Sequence, residues 1–444
     1  MNESLRRSLW TSSALLAAFS LLAKIVGLLR DRILAGQFGA SHTLDIYYSA
    51  FKIPDLLFNL VVAGAVSSAF IPLFTQIYRK GGGEGWLFAR RAITAALIVI
   101  AIGAVIAWVF AGPLSHLIAP GFSDSDTALL AGTFRIMLLS TIILVVSSIF
   151  GAMLQSFERF LAYSIAPILY NVGIIIGALF FVPLAENAGY SPVYALAWGV
   201  VLGAGLHWLV QHFAIRRAGF KFSWDVEFSD PALRRVVRLT IPRTLALGTY
   251  NLGTTIINAL ASALGAGAIT ILNIASNLQY VPISLVGISI ATAVFPRLSA
   301  HASDGQMDHF KENFNHSLRN TFALTTIAAV GIYLFREPIV RILFASGSFQ
   351  GAAVEETAAV LGIFMLNVVP HSLHHIVTRA FYSLEDTRTP FYVAIISIIS
   401  IVVLGYLFSH PMDMGVRGLA LATAIGGIIN FTVLYTIFRR RHLS

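Results

Sequence analysis

The sequence predicts an all-α polytopic membrane protein of about twelve transmembrane helices in two six-helix lobes, related as parallel repeats. Three observations lead there. Of the 444 residues, 57% are hydrophobic and 11% charged, whereas a soluble chain carries about 25% charged residues to keep its surface in water. Apolar runs of near 20 residues recur from end to end, and about 20 residues of helix cross a hydrocarbon core roughly 30 Å thick. The halves also share motifs. "LAGQFGA" (34–40) returns as "LASALGA" (260–266), "IP" (53–54) as "VP" (281–282) and "AFIPLF" (69–74) as "AVFPRL" (293–298), at offsets of 224 to 228. An even number of helices per copy relates the halves by an axis along the membrane normal.

The segments follow in order. Residues 9–35 come after the basic "SLRR"; the start loosely resembles a signal peptide, but the apolar run continues without a cleavage site, which predicts a retained helix. Residues 44–78 begin at Asp45 and contain Pro54 and Pro72, which would kink a helix. Residues 88–112, 128–155, 160–183 and 191–217 are nearly uninterrupted apolar runs and complete a lobe at 1–217. The charged stretch 218–230 predicts a cytoplasmic linker to the second lobe, 231–444. There, 231–264 and 268–302 carry Arg243, Asn251, Asn258, Asn273, Ser276, Asn277 and Gln279, polar but almost uncharged. Residues 312–334, 355–383, 389–408 and 416–438 complete the count.

The connections alternate in charge. "SLRR", "YRKGGGEGWLFARR", "SFERF", the linker, "PRLSAHASDGQMDHFKENFNHSLRN", "SLEDTRTP" and "RRRH" hold most of the Lys and Arg, while the other set holds only Arg336, Arg341 and Arg417. Basic loops stay inside, so both termini of this multi-pass membrane protein are expected in the cytoplasm. The formal charge of +9 is thereby a topology signal and calls for no nucleic acid.

Several chemistries drop out. With no cysteine there is no disulfide, thiolate nucleophile or Cys-ligated metal. His371, His374 and His375 offer one i, i+4 pair but no HExxH arrangement or nearby carboxylate, so no metal is expected. "GGGEG" (81–85) lacks the Lys-Ser/Thr of a phosphate loop and reads as a flexible turn. Nothing assembles a nucleophile, base and orienting group. Neither an enzyme nor a cofactor is expected.

What needs explaining is charge inside the membrane. Each Asp, Lys or Arg near a helix centre costs about 2.5–3.5 kcal/mol on insertion scales. At about 100° per residue, Lys24, Gly27 and Asp31 share one side of the first helix with Arg30 flanking it, and Arg32 snorkels toward the interface. By the same arithmetic Asp45, Lys52, Asp55 and Asn59 fall within roughly 80° of one another on the second helix. Two stripes of opposite sign predict either a hydrated cavity in the N-terminal lobe or ion pairs that hold the two helices together.

These residues lie in motifs that resemble a known family. "AKIVGLLRDRILAGQFGA" (23–40), "LDIYYSAFKIPDLL" (44–57), "LIAPGF" (117–122), "RRAGF" (216–220), "IPRTL" (241–245), "GISIATAVFPRLS" (287–299), "REPIVRILFASGSF" (336–349) and "TRAFYSLEDTRTP" (378–390) look like the MurJ (MviN) family of lipid II flippases, within the multidrug/oligosaccharidyl-lipid/polysaccharide (MOP) exporter superfamily. The resemblance implies the MOP exporter fold. It also implies a flippase moving undecaprenyl-pyrophosphate-linked disaccharide-pentapeptide to the outer leaflet for peptidoglycan assembly, with the headgroup in a cationic cavity. Arg30 and Asp31 fall on the family's essential Arg-Asp pair, Lys24 takes the place of a cavity arginine, and Asp45 matches the acidic residue that starts the second helix. The chain departs from the family at Phe58, Asn59 and Asn277, where arginines are the rule, and at Ala63, where an acidic residue is. Many members carry two further helices associated with a groove for the lipid tail, and this sequence ends at "RRRHLS" after the twelfth.

The expected cavity residues are therefore Lys24, Arg30, Asp31, Asp45, Lys52, Asp55, Asn59 and Asn277. Expected partners are the lipid-linked precursor and membrane lipids, with cell-wall synthesis proteins as candidates and a monomer sufficing because both repeats lie in one chain. Membrane potential, proton or sodium coupling are all compatible with Asp31, Asp45 and Asp55. The alternatives are an exporter of another polyprenyl-linked glycan or of a small cationic compound, which fewer arginines permit, and a non-transporting cell-wall scaffold. The insertion cost of the charged stripes counts against a scaffold.

Overall fold

The computed structural model describes the backbone of residues 3–63, 70–227 and 229–443, and side chains outside 1–15, 17, 63–69, 228, 239–250 and 444. Arg243 and the side chains of "SLRR" lie outside the described residues. The described residues are helices and connecting turns, with one isolated bridge between Ser346 and Phe349.

In the first half the helices are α1 (Glu3–Phe38), α2 (His42–Ala50), α3 (Lys52–Phe58), α4 (Ile71–Lys80), α5 (Gly82–Val109), α6 (Ala111–Ile118), α7 (Asp124–Ser156), α8 (Phe160–Ile176), α9 (Val182–Asn187) and α10 (Pro192–Arg217). In the second they are α11 (Pro231–Ser262), α12 (Ala268–Pro282), α13 (Ser289–Ser303), α14 (Met307–Leu334), α15 (Arg336–Phe344), α16 (Ala352–Ser383), α17 (Arg388–Ser409) and α18 (Gly415–Phe438). The two series repeat. The pairs α1/α11, α2/α12, α5/α14, α6/α15, α7/α16, α8/α17 and α10/α18 start 223 to 228 residues apart. Even the irregularities recur, since π turns at Asn59–Ala63 and Ile283–Ile288 begin 224 residues apart.

Eight helices among the described residues are long and apolar enough to cross a membrane: α5, α7, Phe160–Asn187, α10, Ala268–Ser303, α16, α17 and Gly415–Leu443. The other expected segments coincide with α1, the interrupted stretch 42–80, α11 and α14, all rich in polar residues, so apolarity by itself does not count them.

Two compact units contain the chain. The first comprises 1–34, 46–118 and 122–251, the second 35–45, 119–121 and 252–444. The boundaries fall inside α1, α2 and α11, so the units are not continuous halves of the sequence.

Within the first unit α8 and α10 meet through glycine. Gly173 on α8 and Gly177 in the π turn that follows it, four apart, face Gly199 and Gly203 on α10, also four apart; a Cβ on Gly177 would stand 2.5 Å from the Gly199 Cα. A Cβ on Gly203 would overlap the Tyr170 carbonyl oxygen. Small residues at this spacing let backbones approach closely, and close packing stands in for the hydrophobic effect, which is absent between helices in lipid. Gly203→Val should therefore abolish accumulation of folded protein, whereas Gly205→Val one turn-face away, where nothing lies within 4 Å, should be tolerated. Normal gel-filtration profiles for both variants would refute the close approach.

One expectation about the basic loops changes. "GGGEG" is not a flexible turn: only Gly81 is extended (φ −166°, ψ 111°), and α5 begins at Gly82. Gly85 is buried against Tyr78, where a Cβ would come within 2.7 Å of the ring, and Tyr78 and Trp86 pack around Phe74, Phe88, Phe157 and Phe220 in an aromatic core. The stretch 218–230 is likewise clamped. Arg91 Nη1 donates to Asp230 at 2.7 Å and its Nε to Asp225 at 3.3 Å, Nη2 pairs with Glu227, and Arg90 donates to the Lys221 carbonyl at 2.9 Å. Asp230 also accepts from the N–H groups of Ala232 (2.7 Å) and Leu233 (3.3 Å), capping α11.

Burial favours the neutral acid at Asp230, but the bonds from Arg91, Leu233 and Ala232 outweigh it and hold the carboxyl below its ordinary value. A carboxyl lowered on folding stabilises the fold above its unfolded value, about 3.9 for Asp, and that stabilisation is lost as pH falls through the folded value. Amide exchange in 218–230, corrected for intrinsic rates, should accelerate as pH drops through that acid range. Asp230→Asn should show the same loosening at neutral pH. Unchanged protection in both experiments would dismiss the clamp.

Candidate functional site

The first unit gathers a polar group inside otherwise apolar helices. Arg30 on α1 reaches Asp31 through Nε (2.9 Å) and Nη2 (2.7 Å), both to Oδ1, and donates through Nη1 to Asn171 Oδ1 on α8 at 2.9 Å. Asn171 in turn donates its Nδ2 to the Pro167 carbonyl one turn back, at 3.0 Å, which directs Oδ1 at the arginine. Asp31 is 4% exposed. Among the described residues these bonds take three of the five N–H donors of the guanidinium, leaving two for a guest. Lys24 is exposed two turns earlier on α1.

On α3, Lys52 is half-buried and Asp55 exposed, one turn apart and within electrostatic reach of each other. Tyr170, beside Asn171, feels both Asp55 and Arg30, and Tyr47 on α2 feels Arg30, Asp31 and Tyr170. Arg30, Asp31, Lys52 and Asp55 thus belong to one charged neighbourhood, lined by Tyr47, Tyr170 and Asn171. These last three carry no signal in the sequence that sets them apart from other membrane-helix tyrosines and asparagines.

Asp45 does not join the α3 residues on a common stripe. Pro54 has no N–H for the carbonyl of Ala50, so the helix ends at Ala50, turns at Phe51 and restarts at Lys52. Projection at a constant angle per residue fails across that break. Asp45 instead lies in the second unit, 1% exposed, where its carboxylate accepts from Gly267 N (2.6 Å), Thr270 N (2.7 Å) and Thr270 Oγ1 (2.7 Å) at the start of α12. Gly267 enters that helix with φ +86° and no cap of its own, so Asp45 satisfies donors that the helix start leaves open.

Asn59 ends α3 and opens its π turn. Phe58 packs against the apolar cluster of Val62, Ile100 and Val145. Asn277, on α12 in the second unit, is exposed and donates to Asn273 at 3.4 Å. On α16 His371 stacks on His375 at 5.2 Å between ring centroids and His374 meets both edge-on at 5.8 to 6.4 Å, and no group of three His, Asp or Glu among the described residues could hold a metal ion.

A profile of the family described as "Lipid II flippase MurJ" matches residues 34–444. The chain belongs to the MurJ family. The lipid II flippase MurJ of Burkholderia cenocepacia is 30% identical over 432 residues, spanning 96% of this chain and 83% of that protein. The probable lipid II flippase MurJ of Rhizobium tropici is 29% identical over 430 residues, 95% of this chain and 79% of that one. A solved structure described as "Lipid II flippase MurJ, inward closed conformation" superposes with a TM-score of 0.80 at 25% identity over 96% of this chain and 87% of that one. An inward-facing MATE transporter of the MOP superfamily superposes at 0.77 over 95% of this chain with 16% identity, which extends the likeness in fold alone. MurJ proteins are membrane transporters rather than enzymes.

Proposed function

We propose that this protein translocates lipid II from the inner to the outer leaflet of the cytoplasmic membrane by alternating access. The observation that carries this is the partly buried Arg30–Asp31–Asn171 cluster in a chain that matches the MurJ family over 34–444. A pyrophosphate needs cationic donors with fork geometry, and Arg30 keeps two. With the Asp45 carboxylate committed to α12, the neighbourhood of the first unit balances Arg30 and Lys52 against Asp31 and Asp55, with Lys24 exposed two turns earlier on α1.

The test is complementation of a strain depleted of its lipid II flippase. Growth and normal shape are expected on expression of this chain, and lysis despite a well-inserted protein would exclude lipid II as its cargo. Phe58 and Asn59 in place of two arginines favour a second reading, export of a polyprenyl-linked glycan with fewer phosphates. Under that reading the chain inserts and fails to rescue.

The topology belongs to the same proposal: twelve crossings, six in each of the lobes 1–217 and 231–444 joined by 218–230, with both termini cytoplasmic. The pairing of α14 with α5 and of 42–80 with Ala268–Ser303 supports counting the less apolar segments. Because the chain has no cysteine, single cysteines at Gly83 and Ser125 report sidedness directly. They should label from opposite faces, and labelling from one face would overturn the count. One chain holding both repeats suffices as a monomer, and cell-wall synthesis proteins remain candidate partners.

A further inference from the structure

Where α7 turns into α8, the first unit carries an open groove of about 590 Å³, within the roughly 300–1,000 Å³ of small-ligand sites. Its walls are apolar: Leu161 and Ile165 from α8 face Val210 and Phe213 from α10, and Leu161 and Phe213 are 53% and 58% exposed. Its rim is charged, with Glu158 and Arg159 in the turn before α8 and Arg217 at the end of α10. Among the described residues neither guanidinium enters an ion pair or hydrogen bond with the protein. The groove is separate from the Arg30 neighbourhood and shares no residue with it.

An apolar trench that ends under two uncommitted arginines matches an amphiphile with a phosphate between chain and headgroup. Arginine presents paired N–H donors to phosphate oxygens, and basic pockets between membrane helices on the cytoplasmic side bind anionic lipid headgroups. Two positive charges against Glu158 leave a net charge of one sign, which favours a lipid with a single uncompensated phosphate over a zwitterion. Glu158 can then accept from a hydroxyl on the headgroup.

We propose that this groove holds a resident anionic glycerophospholipid, its phosphate at Arg159 and Arg217 and its acyl chain along Leu161, Ile165 and Phe213. The leaflet it is drawn from, the cytoplasmic one, rests on the orientation proposed above; binding itself does not, and vesicles of symmetric composition test it alone.

Bimane attached at Leu161→Cys in the otherwise cysteine-free chain reads contact with brominated acyl chains as quenching. In phosphatidylcholine vesicles, brominated phosphatidylglycerol should quench several-fold more than brominated phosphatidylcholine at equal mole fraction. The preference should vanish in Arg159→Gln/Arg217→Gln and persist in Arg159→Lys/Arg217→Lys, with Phe213→Cys as a second reporter should the first fail to fold. Unlabelled phosphatidylethanolamine and inorganic phosphate should leave the quenching unchanged. Equal quenching by both brominated lipids, or a preference that survives the double Gln change, would overturn the site. So would displacement by undecaprenyl phosphate at equal mole fraction, which would assign the groove to the carrier lipid, or by phosphate alone, which would reduce it to an ion site. Because none of these readouts uses transport, failed complementation leaves the result intact.

Discussion

Arg30→Ala is expected to abolish rescue of a flippase-depleted strain while the protein still reaches the membrane. The guanidinium joins α1 to α8 through its charge-assisted bond to Asn171 at 2.9 Å while holding Asp31 at 2.7 Å. Truncating one partner of a buried, hydrogen-bonded charge pair costs about 2–5 kcal/mol, and each 1.4 kcal/mol is about tenfold in affinity. A headgroup bound through the same arginine should therefore lose on the order of a hundredfold or more. Arg30→Lys keeps the charge but cannot span Asp31 and Asn171 together, so partial rescue is expected. Asn171→Ala should weaken rescue less, because Arg30 keeps its charge and its bond to Asp31 and loses only its orientation. Asp31→Ala should fail like Arg30→Ala. Full rescue by both alanine variants at normal expression would remove this pair from the transport site.

Asp45→Ala is expected to act on stability before transport. The change strands three donors, Gly267 N, Thr270 N and Thr270 Oγ1, in a site where Asp45 itself is 1% exposed. Each buried donor left unmade costs about 1–3 kcal/mol, so the second unit should lose several kcal/mol and melt well below the parent in detergent. Asp45→Asn should recover only part of this, because its amide turns two further donors toward donors. If Asp45→Ala does not accumulate, Thr270→Val still reads the site, since it removes a single bond and should lower the melting temperature by a few degrees. A residue that served only a transport cavity would give the reverse, a normally stable protein with impaired rescue.

These two aspartates show where sequence periodicity carries and where it stops. Along α1 the helix is unbroken from Glu3 to Phe38, so constant angular steps apply from Lys24 to Arg30 and Asp31. Between Asp45 and Lys52 the chain passes a turn at Phe51, where Pro54 interrupts the helix, and constant steps no longer tie Asp45 to the residues after it. The stripe drawn across all four residues therefore divides, Asp45 going to α12 and Lys52 and Asp55 to the Arg30 neighbourhood. "GGGEG" misleads for a related reason: among glycines that look like slack, Gly85 is required by the packing of Tyr78 against it. Likewise the spacing of Gly173, Gly177, Gly199 and Gly203 is visible in sequence, but only contact of α8 and its following π turn with α10 marks those four among the 35 glycines of the chain.

Sequence alone determined the properties that depend on composition, local period and repetition. These are membrane helices in place of a soluble core, a duplication offset of 224 to 228 that the helix starts reproduce as 223 to 228, and an Arg-Asp pair too costly to leave in lipid without purpose. Tertiary structure decided which distant groups complete each charge. Arg30 finds Asn171 at a separation of 141 residues and Asp45 finds Gly267 and Thr270 at 222 and 225. The physical reason is that inside a bilayer every buried polar atom must be satisfied by protein. The demand can be read from one residue, whereas its partner is set by how the helices pack.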